Sequence, residues 1–361
     1  MTAIFVALFL LAGASATPDA SAIHTLGGGP NHTHSYDTAP INADPAPLWR
    51  FDTASLATGE PLVVDGVVFV STSAGALHAI DLETGAEIWR FNAGKKLYNG
   101  PTVTDGVAYL GCSSGTVCAI DATDGTVKWD YETGGGVCKP PAVFRGLAYA
   151  GSHDKRLHII DIKTGSAEQI LEENFDLCCC PTVAGGKLYY PDWGGNLFVL
   201  DPPTGTREKI FSTNRETKWF TSPPILGGIA YFVDFDSVLY AIDIAKREPK
   251  WTFKADGQIS RAPAVNGEVA CFSTSESHFY ALDASTGEAL WDADTGGVNY
   301  AHPAIARGVV YFGSGNGDLY GYNVKTGAEL WRFSTGEPVG TPVAHEGTVL
   351  FNSGTSVYRI K

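Results

Sequence analysis

Apolar and polar residues alternate along this chain in runs of five to seven, and each run stops at an Asp-Gly, Ser-Gly, Gly-Gly or Thr-Gly pair. The stretch from Pro101 shows the pattern: PTVTDG, then VAYLGCSSG, TVCAIDATDG and TVKWDYETG. Period-two alternation, Val, Tyr, Ile and Thr in the runs, and turn pairs between them predict short antiparallel strands. No window offers ten residues of helical periodicity without a Gly or Pro.

The pattern repeats. Segments such as AIDLETGAEIWRF carry Asp81, Asp121, Asp161, Asp201, Asp243, Asp283 and Asn323 at one position, with steps of 40, 40, 40, 42, 40 and 40 residues. Four short strands per period make one blade of a β-propeller. Lettered A to D outward, the D strands are marked by Trp49, Trp89, Trp129, Gln169, Lys209, Trp251, Trp291 and Trp331. The A strands start near Pro61, Pro101, Pro141, Pro181, Pro223, Pro263, Pro303 and Pro342. The chain therefore opens with an orphan D strand, PLWRFD, and closes with orphan A, B and C strands. Joining them predicts an all-β, eight-bladed ring over residues 47–361, one monomeric domain with no open sheet edge.

In D-x-x-T-G-x-x-x-W, Asp and Thr bond the C–D turn, Gly supplies its positive φ, and Trp covers the neighbouring blade. Trp49, Trp89, Trp129, Trp251, Trp291 and Trp331 are thus docking residues, not a cofactor box. This motif resembles the docking repeat of the quinoprotein alcohol dehydrogenase-like, or PQQ-repeat, propellers, and the leader GGGPNHTHSYDTAP resembles a stretch that precedes the ring in many of them. One branch holds large PQQ-dependent dehydrogenases, and the other small non-enzymatic BamB-like propellers. Length places this chain with the second. The resemblance to the first implies calcium beside the quinone, held by carboxylate and Asn ligands that Asn99 with Asp192 or Asp234 could imitate. No dehydrogenase motif appears beyond the docking repeats.

The N-terminus predicts export. Ile4 to Ala16 is apolar and ends in Ala14-Ser15-Ala16, a signal-peptide pattern over residues 1–16, although no Lys or Arg precedes it. Ala14 stands where a lipobox needs Cys, so no lipid anchor is expected. Residues 17–46 read as a flexible leader, in which His32 and His34 are weak metal candidates and Asn31-His32-Thr33 is a glycosylation sequon. The net charge of −14 disfavours nucleic acid and anionic membranes as partners, and no later segment reads as transmembrane.

Function falls to whatever breaks the repeat. The irregularities gather on the face of the B–C and D–A loops: the two-residue insertion before Pro223, the Trp slots lost at Gln169 and Lys209, and the triplet Cys178-Cys179-Cys180. Register places Lys139, Trp219, Arg261 and His302 around the channel mouth, and the B–C loops add Asp192-Trp193 and Asp234-Phe235. Asp192 and Asp234 are either solvated turn aspartates or a paired carboxylate for a cation or amine, walled by Trp193 and Phe235. Lys139, Arg261 and His302 either meet an anionic ligand or pair with acidic neighbours.

Seven cysteines are an odd number for an exported chain. Cys138 matches Cys178 one blade earlier, so a bridge between them would staple two blades. A vicinal bridge within the triplet is the alternative, and it would be strained. The dehydrogenases carry a vicinal disulfide beside their quinone, which the triplet resembles only in part. Zinc is a third option. Cys112, Cys118 and Cys271 read as buried small hydrophobes in strands. The expectation is an exported, non-catalytic scaffold that binds a protein partner and carries no cofactor. The alternatives are a small oxidoreductase using PQQ and calcium at the mouth, and a carbohydrate or cell-surface binding module.

Overall fold

The computed structural model describes residues 24–177, 179–213, 221–234, 236–259, 261–298 and 301–361. The signal peptide expected over residues 1–16 lies outside them, as do Cys178, Trp219 and Phe235. Eight antiparallel sheets form the ring, each with its strands in simple A-B-C-D order. The second blade is typical, with strands Thr102–Thr104, Val107–Gly111, Thr116–Asp121 and Val127–Glu132. B strands such as Val309–Gly313 are buried along their whole length, because both faces meet a neighbouring blade. D strands such as Glu87–Asn92 are exposed at alternate positions. Among the described residues, no helix is long and apolar enough to cross a membrane.

The eighth blade closes as the orphan strands predict. Pro47–Asp52 pairs antiparallel with Ser356–Ile360, with Trp49 opposite Arg359. Ala46 and Lys361 exchange two backbone bonds of 2.9 Å beyond the strand ends.

Blade-to-blade docking runs through the tryptophans. Indole Nε1 of Trp49, Trp89, Trp129, Trp251 and Trp291 donates to the carbonyl oxygen of Leu82, Ala122, Ile162, Ala284 and Val324, each 33 residues on, at 2.7 to 3.1 Å. The turn glycine of the next blade has two duties. Gly165 has φ +71, and a Cβ there would lie 2.7 Å from the Trp129 ring. Where the tryptophan is missing, the partner changes too. Gly205, opposite Gln169, faces open space. Opposite Lys209 the glycine is replaced by Arg247, which pairs with Glu208.

The leader departs from expectation. From His24 to Ala46 it is not a free tail but a plug threaded through the ring. Its backbone bonds the A strands in turn: His24 with Val103, Pro30 with Val183, Asn31 with Ile225, Thr33 with Val265 and His34 with Ile305. Ser35–Tyr36 adds a parallel strand inside Ala304–Ala306. The inner A strands expose one row of N–H groups to the channel, and a buried polar row needs partners. Farther on, Ile41 offers its carbonyl to Trp331 Nε1 at 2.8 Å. It stands in for the C–D turn that the interrupted eighth blade lacks.

Candidate functional site

The D–A and B–C loops meet at the mouth of the channel and surround a cavity of about 600 Å3. Of the residues singled out in the sequence, Lys139, Trp193, Arg261, His302 and Cys138 line it, with Tyr98, Asn99 and Leu56. Leu26 of the leader closes it from beneath, beside Glu60. Lys139 Nζ donates to Asn99 Oδ1 at 3.3 Å, and Asn99 Nδ2 donates to the Cys138 carbonyl at 2.9 Å, which ties two adjacent D–A loops. Burial pulls the Arg261 guanidinium below its usual range.

Asp192 and Asp234 do not line the cavity. Asp192 accepts from the Asn196 backbone N–H at 3.0 Å and from Asn196 Nδ2. Asp234 accepts from Val238 N–H at 2.9 Å and from the Tyr240 hydroxyl at 2.8 Å. Both are buried, and each is spent on closing its own B–C loop. Their hydrogen bonds are those of turn aspartates, and the turns are buried rather than solvated.

Beneath the cavity lies a buried set that joins Glu60, which the sequence reading did not single out, to His32, His34 and His302, which it named separately. The His34 and His302 rings stack at 4.4 Å and 12°. His34 Nδ1 sits 3.5 Å from Glu60 Oε2, and Glu60 Oε1 accepts from the Gly27 N–H. Burial, then the charge of Lys139, lowers His32 to about 4. Burial, then His32 and Lys139, lowers His34 to about 3. His302 is held well below its ordinary value by burial, His34 and Arg261. Burial raises Glu60 to about 7 against the pull of the Gly27 bond and Lys139. A signal for this set exists in the chain. The position before each A-strand proline reads Gly100, Pro140, Cys180, Ser222, Ala262 and Thr341, small or apolar, but Glu60 and His302 in two blades. His32 and His34 follow the triple glycine, and in the structure both adopt positive φ.

Cys179 and Cys180 are buried thiols with no bond between them. Burial pushes Cys180 up to about 12 and raises Cys179 well above its usual value. A vicinal bridge of these two is therefore not formed, and the Cys138–Cys178 pairing involves a residue outside the described ones. Cys112 and Cys118 lie 3.8 Å apart, and like Cys271 they are buried within the sheets.

Among the described residues, no group of three or more His, Cys, Asp or Glu is arranged to hold a metal. Calcium takes about six to eight oxygens, carboxylates among them. Glu60 is the one carboxylate on the described wall, and burial favours its neutral form. The described residues thus do not fit calcium. An organic anion meets a better match in Lys139, Arg261 and the Trp193 ring.

The model of the outer membrane protein assembly factor BamB family matches residues 39–175 and 195–360. No curated protein matches the chain in sequence. Among solved structures, BamB from Moraxella catarrhalis is similar at TM-score 0.74 and 15% identity, covering 88% of this chain and 98% of its own. The quinohemoprotein alcohol dehydrogenase from Comamonas testosteroni is similar at TM-score 0.77 and 16% identity, covering 97% and 81%. The computationally designed Ika8 protein reaches TM-score 0.74 at 14% identity, covering 86% and 96%. At such identities the likeness is one of fold, and a designed ring among the neighbours shows how little the fold says about activity.

Proposed function

The chain belongs to the family of the outer membrane protein assembly factor BamB, and on that premise we propose that it is an exported, non-catalytic scaffold that grips a protein partner at the channel mouth. The observation that carries this reading is the mouth cavity itself. Leu26 of the leader contributes to its lining, with aromatic and apolar walls at Tyr98, Trp193 and Leu56 and cations at Lys139 and Arg261. Such a pocket suits an acidic or aromatic side chain presented by another protein, an anchor of the kind that dominates interface energetics. Catalysis would need preorganised groups aimed at developing charge, but Asp192 and Asp234 are committed to their own turns. The same cations and Trp193 would also grip a planar anionic quinone, which is the second reading.

One experiment separates the two. A photo-crosslinker at Tyr98, compared with one at Val127 on the outer rim, should trap a specific envelope protein only from the mouth. The adduct should fade in Lys139→Ala and Arg261→Ala with unchanged melting temperature. The purified chain given PQQ and Ca2+ should reduce no dye with alcohols or sugars. PQQ-dependent turnover, or crosslinking indifferent to both substitutions, would overturn the scaffold reading.

A further inference from the structure

At one side of the mouth a thiol, an imidazole and a carboxylate stand in line. Cys138 belongs to the D–A loop between blades two and three, His153 to the B–C loop of blade three, and Asp176 to the next D–A loop. Cys138 Sγ lies 3.1 Å from His153 Nε2, and His153 Nδ1 lies 3.2 Å from Asp176 Oδ2. The Trp193 ring meets the imidazole edge-on at 5.1 Å. Gly136 packs against the other side, where a Cβ would come within 3.3 Å of His153 Cδ2. The carboxylate keeps a proton on Nδ1 and turns Nε2 toward the sulfur as a base. Burial opposes a charged His153, yet the bond and charge of Cys138, followed by those of Asp176, hold its pKa above the ordinary value. Of the other charged groups nearby, Asp154 is turned away to His158 Nε2 and the Gly134 N–H. Lys139 follows Cys138 in the chain and lines the same cavity.

We propose that Cys138 is a nucleophilic thiolate, paired with the His153 imidazolium and oriented by Asp176, that exchanges with small anionic disulfides entering the mouth cavity. The thiolate attacks one sulfur of the incoming disulfide. A new bond joins Cys138 Sγ to that sulfur, the old S–S bond breaks, and the second half leaves as a thiolate. The proton taken from Cys138 rests on His153 Nε2, within reach of the leaving sulfur. No other oxidant is required, because the disulfide is itself the electron acceptor.

Two features give selectivity. Cys112, Cys118, Cys179, Cys180 and Cys271 are buried, whereas Cys138 borders the cavity. A net charge of −14 would turn anions away from the molecule as a whole, but Lys139 and Arg261 on the cavity wall reverse that preference locally. Relative to its rate with a small neutral thiol, an anionic disulfide should therefore gain here and a cationic one lose, the opposite of what a thiol elsewhere on this surface would show.

The test uses the full exported chain. It is reacted with 5,5′-dithiobis(2-nitrobenzoate), with cystamine as the cationic comparison, each rate is divided by that of a small neutral thiol with the same reagent to remove the leaving-group effect, and the modified peptide is identified. The adduct should map to Cys138 and be absent in Cys138→Ser. An ordinary thiol loses about a hundredfold in rate between pH 8.5 and pH 6 as its thiolate disappears. Cys138 should lose less than about tenfold, and His153→Gln should restore the steep profile while its melting temperature confirms folding. Lys139→Met should narrow the preference for the anionic reagent. An ordinary pH profile, a rate indifferent to His153→Gln, a normalised rate for cystamine equal to or above that for the anionic reagent, or recovery of Cys138 from native protein in an intramolecular bridge would each overturn the proposal.

Discussion

Glu60 and the histidines beneath the cavity are residues that folding forces into an unfavourable state, and their titration is a direct handle on the plug. Glu60 sits at about 7 in the folded chain, above its unfolded value. Its contribution is present in full below about pH 4.5 and is lost as pH rises through 7. Glu60→Gln, which keeps an acceptor for the Gly27 N–H, should melt like the parent at pH 5 and above it at pH 8. The gain there should be no more than roughly 3 kcal/mol, from a shift of about 2.5 pKa units. His32 and His34 run the other way. They are held at about 4 and about 3, so the unfolded chain takes up the protons first and stability falls as pH drops from about 6.5 toward 3. Melting curves across pH 4 to 8 check both limbs. A parent that is flat over this range would mean that the cluster is not buried as described.

At the scale of the blade, the repeat is held by one indole over one glycine. Gly165 and Gly205 occupy the same turn position with φ +71 and +67, so alanine at either costs about 1–2 kcal/mol of left-handed strain. Only at Gly165 would the new Cβ also meet a tryptophan ring, at 2.7 Å from Trp129. Gly165→Ala should therefore destabilise by about 1–3 kcal/mol more than Gly205→Ala in urea unfolding. Equal costs would remove the docking argument. This element was legible in the sequence, since Trp, Gly and the 40-residue step occur together. The answering changes in blades four and five were not. Gln169 and Lys209 looked like simple losses, and only packing shows Arg247 replacing the glycine opposite Lys209 and pairing with Glu208.

For the whole molecule, stability depends on closure from both ends of the chain. Removing residues 47–53 deletes the strand that pairs with Ser356–Ile360 and the Trp49 bond to Leu82. The truncated ring should unfold or oligomerise through its exposed edge, and a melt as cooperative as the parent's would contradict closure. Loss of residues 24–46 is a milder cut. It should lower the melting temperature, because five A strands lose leader bonds and Trp331 loses its acceptor. It should also abolish the acid limb set by His32 and His34.

The blade count, the strand order and the closing strand could all be read from the chain alone, because they follow from local signals: alternation, turn pairs and a fixed repeat. A period of that length leaves few architectures open. Lys139, Trp193, Arg261 and His302 line one cavity, since equal register in successive blades means equal height in the ring. The leader was not legible. Its Gly, Pro and polar content reads as loose, and it becomes ordered only because the inner edges of other blades need hydrogen-bond partners that no local pattern announces. The same holds for the burial of Asp192 and Asp234 and for their partners Asn196 and Tyr240, although a turn role was one of the two readings the chain offered. It holds too for Cys138, His153 and Asp176, which come from three loops and form one site only when blades two, three and four stand side by side.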